Sequence, residues 1–244
     1  MRRAWLIACK DLKEGLGQRA LMLRILLPSL ILPVFYGVVT GEVIREAGER
    51  PQVAAAIGGQ VALFAAIAAL LGTFIGSVMS ANAIALERMR RTMESLLATP
   101  ATDLEIFGGK VMGAFLPAVA GGYAAGILYY ATARLVAHVE PLAVPGVNFT
   151  AGFLVAVLPV VAAIEAIVGV IASSRCGTVT AATQLASLVT MPLVIAVGYV
   201  AYRAATWAPW RLGLFGIGLV ACVLLLLPLG ARLLGREEIV ARLD

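Results

Sequence analysis

The residues able to do chemistry in this sequence are few, and most of them gather in one stretch. Leu86 to Lys110, LERMRRTMESLLATPATDLEIFGGK, carries four basic and four acidic side chains between two almost wholly apolar regions. Gly108-Gly109-Lys110 has the last letters of a phosphate-cradling loop, but Val111 follows where a serine or threonine hydroxyl is needed, and Leu104 stands where the upstream glycine belongs. The chain is therefore not expected to hydrolyse nucleotide itself, and Lys110 reads as an anchor at the membrane interface. The single histidine, His138, has only Glu140 near it in sequence, and Cys9, Cys176 and Cys222 lie far apart. Neither a metal site nor a nucleophile with its base can be built from these. No catalytic residue, metal ligand or cofactor is assigned, and the chain reads as a non-enzyme. Its charges are left with ion pairing and partner recognition.

Glu165 is the second position of interest. It lies inside an apolar run, eight residues before Ser173, or roughly 12 Å along a helix at about 1.5 Å per residue. An ionisable group at that depth is costly and marks a functional position by default. Two readings stay open: a substrate or gating group, or a carboxyl satisfied by a neighbouring helix.

The elements that position these residues follow from hydropathy. The chain has 244 residues, is 61% apolar and only 14% charged, against roughly 25% charged in soluble domains. Long continuous apolar runs recur throughout, which predicts an all-α polytopic membrane protein and excludes an alternating-strand barrel. Six spans are expected at about 21–40, 53–85, 111–137, 149–172, 179–202 and 212–234, in one transmembrane domain over 1–244. Residues 1–20 precede them as an amphipathic interfacial helix, with Trp5, Cys9, Leu12 and Leu16 on its apolar side. Gly41 to Pro51 reads as a loop. Fourteen Lys and Arg residues fall on the side of the N-terminus and five on the other. By the positive-inside rule both termini and the 86–110 segment are cytoplasmic. The net charge of +5 is thus spent at span ends and implies no nucleic acid.

Within 86–110, Leu86, Met89, Met93, Leu96 and Leu97 form one helical stripe. Glu87 and Arg91 are spaced for an i,i+4 pair, as are Arg90 and Glu94. Thr99-Pro100 suits a helix start, and Thr102 with Glu105 has the spacing of a capping box. The segment reads as an amphipathic cytoplasmic elbow between spans two and three. Gly72 and Gly76, and again Gly122 and Gly126, have the GxxxG spacing of close helix packing.

Glu87-Arg88, Arg91-Thr92-Met93-Glu94, Leu96-Leu97-Ala98-Thr99-Pro100, Glu105-Ile106 and Gly109-Lys110 together resemble the signature ER-x-x-G-T-L-E-x-L-L-x-T-P…E-I…G-K of ABC type-2 exporter permeases. Lys10-Asp11-Leu12, Pro28 and Ser173-Ser174-Arg175 are weaker echoes. Arg91 and Met93 replace a glycine and a leucine without breaking the register. The resemblance implies a six-helix half-transporter in the cytoplasmic membrane of a prokaryote, dimerising with a second permease copy within the lipid bilayer and docking two ABC ATPase subunits. It implies that ATP and magnesium are bound by those partners, and that Glu87, Arg88, Arg91, Glu94, Thr99, Pro100 and Glu105 couple to them. The alternative is a secondary transporter or channel that uses Glu165. A lipid or drug cargo would call for an apolar cavity between spans two and five.

Overall fold

A computed structural model of the chain describes residues 2–17, 19–47, 51–89, 102–138, 140–141, 147–204 and 206–233. These residues form seven helices: α1 (Arg2–Gly17), α2 (Arg19–Ala47), α3 (Pro51–Met89), α4 (Asp103–Ala137), α5 (Val147–Arg175), α6 (Val179–Arg203) and α7 (Pro209–Leu233). There is no strand among them. Helices α2 to α7 are each long and apolar enough to cross a membrane, so the chain is a multi-pass membrane protein.

Composition decides which helices sit at the centre. α3 and α5 are the most enclosed and α7 the least. α3 is rich in alanine, glycine and serine, and it packs against α2, α4, α5 and α6. Small side chains let backbones approach where lipid offers no hydrophobic drive for association. α7 carries bulky Leu224 and Leu225 on an exposed face, together with Ile217, and touches mainly α5.

The tightest seam joins α3 to α4. A methyl group added at Gly72 would overlap the Gly121 carbonyl, and one at Gly76 would come within 2.6 Å of the Ala114 carbonyl oxygen. On α4 the close approach uses Gly121 with Ala118. A methyl at Gly122 would also crowd its neighbours, at 2.9 Å from Leu158 and 3.0 Å from Thr73, whereas Gly126 has only the Ala69 methyl nearby, at 3.9 Å. Of the second GxxxG pair, Gly122 therefore lies in a close contact and Gly126 does not.

Several boundaries differ from hydropathy alone. Gly41 to Ala47, expected in a loop, continues α2 as helix, with Glu42 and Arg45 ion-paired one turn apart. The apolar run ends where the membrane ends, but a helix ends only where its backbone is broken. Pro51 then opens α3 at a position where its missing N–H costs nothing. Leu86 to Met89 are likewise the last turn of α3, and Asp103 to Lys110 are the first two turns of α4. The capping box is present: Thr102 Oγ1 accepts from the Glu105 N–H (3.2 Å), and a Glu105 carboxylate oxygen accepts from the Thr102 N–H (3.1 Å). It starts the long α4 and not a short separate helix. Residues 90–101, with Arg91, Glu94, Thr99 and Pro100, lie outside the described residues.

Replacing Gly72 by leucine is expected to destabilise the bundle by about 1–3 kcal/mol through overpacking, while Gly126→Ala is tolerated. Thermal unfolding of the two variants in the same detergent checks this.

Candidate functional site

One group of charged side chains converges at the end of the bundle that carries α1. Two of the three elements that meet there flank the 90–101 segment: α3 ends at Met89, and α4 begins at Asp103. The third, α1, lies across α4 and makes little contact with α2. Glycines permit this crossing. A methyl at Gly109 would stand 2.7 Å from the Ala4 carbonyl oxygen and 2.8 Å from Ile7 Cβ, and one at Gly113 would stand 3.2 Å from Asp11 Cβ. Gly109 and Gly113 are thus a third GxxxG pair, four residues apart, cradling Ala4, Ala8 and Asp11 of α1.

Lys110 lies between these two glycines and is sealed beneath α1, its side chain fully buried. Its Nζ is 2.9 Å from Glu87 Oε2 and 3.2 Å from Asp11 Oδ2. The Glu87 contact is an ion pair, whereas the Asp11 contact is also an aligned hydrogen bond. Lys10, half exposed, donates to Glu87 Oε1 at 3.3 Å and lies 3.8 Å from Glu14. Two ammonium groups and two carboxylates therefore alternate around one point, and each of α1, α3 and α4 supplies at least one. Burial pushes the Asp11 carboxyl above its ordinary range, with the Lys110 ammonium opposing the shift. Because folding raises this pKa, Asp11 favours the folded state most at low pH and loses that contribution as the carboxyl ionises. Lys110 is the counter-charge that offsets the loss. Burial is the largest single influence on the Lys10 ammonium and would lower it, but the Glu87, Glu14 and Asp11 carboxylates together outweigh it and the net shift is upward.

A second junction ties α3 to α5. The Ser173 hydroxyl accepts from the backbone N–H groups of Ile84 (3.1 Å) and Ala85 (2.9 Å) and donates to the Ala81 carbonyl (2.7 Å). A regular α-helix pairs the Ala85 N–H with the Ala81 carbonyl. One hydroxyl from α5 thus engages both groups, a recognised cause of helix bending. Arg88 extends the junction by donating to the carbonyls of Ser174 (3.2 Å) and Cys176 (3.5 Å) at the end of α5. Orphan carbonyls at a helix C-terminus attract such a cation.

Deeper in, Glu165, Gly169 and Ser173 recur every four residues along α5 and face α3. Gly169 receives Ser80 so closely that a methyl there would overlap the Ser80 hydroxyl. Glu165 is buried beside Thr73, and its Oε2 has no hydrogen-bond partner among the described residues.

The sequence-assigned positions therefore divide. Glu87 turns inward onto lysines of its own chain. Arg88 serves the end of α5, and Glu105 caps α4. Arg91, Glu94, Thr99 and Pro100 lie outside the described residues. His138 ends α4 in a left-handed conformation (φ 56°), its N–H donating to the Arg134 carbonyl, while Glu140 pairs with Arg134 at 3.0 Å. Sequence reasoning missed the partnership of Lys10, Asp11 and Lys110; the Gly109–Gly113 spacing around a lone lysine is the signal that could have found it.

The sequence matches the family described as ABC-2 type transporter over residues 13–217, most of the chain. The chain belongs to the ABC-2 type transporter family. No individual curated protein matches it. The ABC-2 membrane domain is a permease domain without an ATPase of its own, and permeases of this family generally work with ABC ATPase partners. In this ABC-2 permease the matched region contains Lys110, Glu87 and Ser173, and starts two residues after Asp11.

Lys110→Met leaves the Glu87 and Asp11 carboxylates buried without their main counter-charge, and removing one partner of such a pair costs about 3–5 kcal/mol. Adding Glu87→Gln is expected to recover part of that loss. A double-mutant cycle on denaturant unfolding checks it, and strictly additive losses would show that the two residues do not interact.

Proposed function

We propose that this permease is one half of an ATP-driven exporter in the cytoplasmic membrane of a prokaryote, with both termini on the ATP side. Two copies form the membrane pore, and two separate ABC ATPase subunits supply the bound ATP and magnesium. The buried Lys110–Glu87–Asp11 cluster carries the reading. It clamps α1 and the two helix ends that flank residues 90–101 into one block, so a displacement of that segment or of α1 moves α3 and α4 together. Ser173 and Arg88 then pass the displacement from α3 to α5, the other enclosed helix. Rigid packed elements with few alternative arrangements transmit motion in this way.

In this reading Arg91, Glu94, Thr99 and Pro100 face the ATPase, while Glu87 acts from inside by holding the block together. Mixed charges set partner choice and orientation. The Arg91→Ala/Glu94→Ala variant is expected to lose co-purifying ATPase while keeping wild-type thermal stability. Undiminished ATPase recovery would overturn the assignment. The charge asymmetry along the chain supports the orientation, and the short connection between α2 and α3 favours a compact exporter without a large external domain.

A second reading, a secondary transporter or channel, draws on Glu165, whose buried carboxyl keeps an oxygen without a described partner. Glu165→Gln is expected to lower transport in vesicles containing the ATPase while leaving ATPase co-purification intact, as suits a substrate or gating group. Transport that persists in vesicles lacking any ATPase would favour the second reading instead.

A further inference from the structure

A cavity of about 330 Å³ lies in the half of the bundle away from α1, between α3, α4 and α5. Its size falls within the range of ligand pockets. Sequence reasoning expected an apolar cavity between spans two and five; this one is enclosed by spans two, three and four. Its floor is Val61 and Ala69 of α3 with Leu154 of α5, all buried, and its far wall is the Tyr129 ring. Its mouth lies along the seam of α4 and α5, where Ile127 and Val155 line the space and are also strongly exposed. Both belong to membrane-crossing segments, so the mouth opens towards hydrocarbon. Gly126, which has no close neighbour in α4's tight seam, leaves the space unfilled.

The polar groups around this cavity are already engaged. Tyr129 Oη donates either to Thr40 Oγ1 (3.1 Å) or to the Val61 carbonyl (3.0 Å), and Tyr123 Oη donates to the Val155 carbonyl (2.9 Å). These tyrosines offer the cavity ring faces, and their hydroxyls are turned to the backbone or to threonine. Tyr130, at the end nearest the membrane surface, bonds Glu140, which pairs with Arg134. The interior is thus apolar and the charged groups stand together at one end, the polarity of a lipid lying along a helix.

We infer that this cavity binds one acyl chain of a bilayer phospholipid, with the head group beside Arg134 and Glu140. Gly122 to Tyr130 lie on α4 over about 12 Å of helix rise at about 1.5 Å per residue, so the chain enters lengthwise from the α4–α5 seam. The inference is independent of ATP coupling.

The test uses the full chain reconstituted in phosphatidylethanolamine/phosphatidylglycerol vesicles, with a trace of phospholipid bearing a diazirine on its acyl chain. After irradiation, labelled peptides are mapped by mass spectrometry. Labelling at Tyr123, Ile127, Ala151 and Val155 is expected to exceed that at Ile217 and Leu224 of α7 by about tenfold, a preference of about 1.4 kcal/mol. Gly126→Phe fills the space and is expected to bring the cavity labelling down to the α7 level, whereas Ile217→Phe leaves it unchanged. Even labelling over all lipid-facing helices of the wild type would overturn the inference, as would undiminished cavity labelling in folded Gly126→Phe. If that variant does not fold, Ala151→Leu is the smaller filling substitution, read the same way.

Discussion

A lysine ammonium with no access to water has to be matched by carboxylates placed before the chain closes over it, and here Lys110 is matched by Glu87 and Asp11. The desolvation of the three groups is recovered only when all of them are in place. That condition binds Lys110 to Asp11, 99 positions away in sequence. It places α1 across α4 and fixes the end of α3 against the start of α4. Gly109 and Gly113 belong to the same constraint, because a side chain at Gly109 would strike the α1 backbone and one at Gly113 would crowd Asp11.

From this clamp the structure grades towards looser packing. The α3–α4 seam is made by backbone contact at Gly72, Gly76 and Gly121, and the α3–α5 seam by Ser80 on Gly169 and by the Ser173 hydroxyl in the α3 backbone ladder. Further from α1, α4 and α5 part enough to leave a cavity whose tyrosine hydroxyls are already bonded. In the proposed function the rigid end receives force, and in the proposed lipid site the looser end admits hydrocarbon. Glu165 lies between the two regimes, in the one stretch of the α3–α5 contact where a carboxylate oxygen lacks a described partner.

The family and the class of the protein were legible in the residues themselves. Continuous apolar runs dictate membrane helices, because backbone groups in lipid have to be satisfied within each segment. The ER…TLE-like…TP…GK register of 87–110 carried the resemblance that the match over 13–217 then bore out. The Thr102–Glu105 capping box was readable because capping is local, involving one turn of chain.

What only the tertiary structure decided is which way the charged residues face. Glu87 has the spacing for a local pair with Arg91, which lies outside the described residues, but no spacing rule predicts that its carboxylate also reaches Lys10 and Lys110 on two other helices. The spacing of Gly122 and Gly126 is as good as that of Gly72 and Gly76, but the rotation of α4 puts Gly121 and Ala118 in the tight seam and leaves Gly126 beside a cavity. Sequence determines periodicity, and so the existence and membrane nature of each helix. The rotation of each helix about its axis is settled by the neighbours it meets, and that rotation made Lys110, which read as an interface anchor, the buried centre of the charged segment.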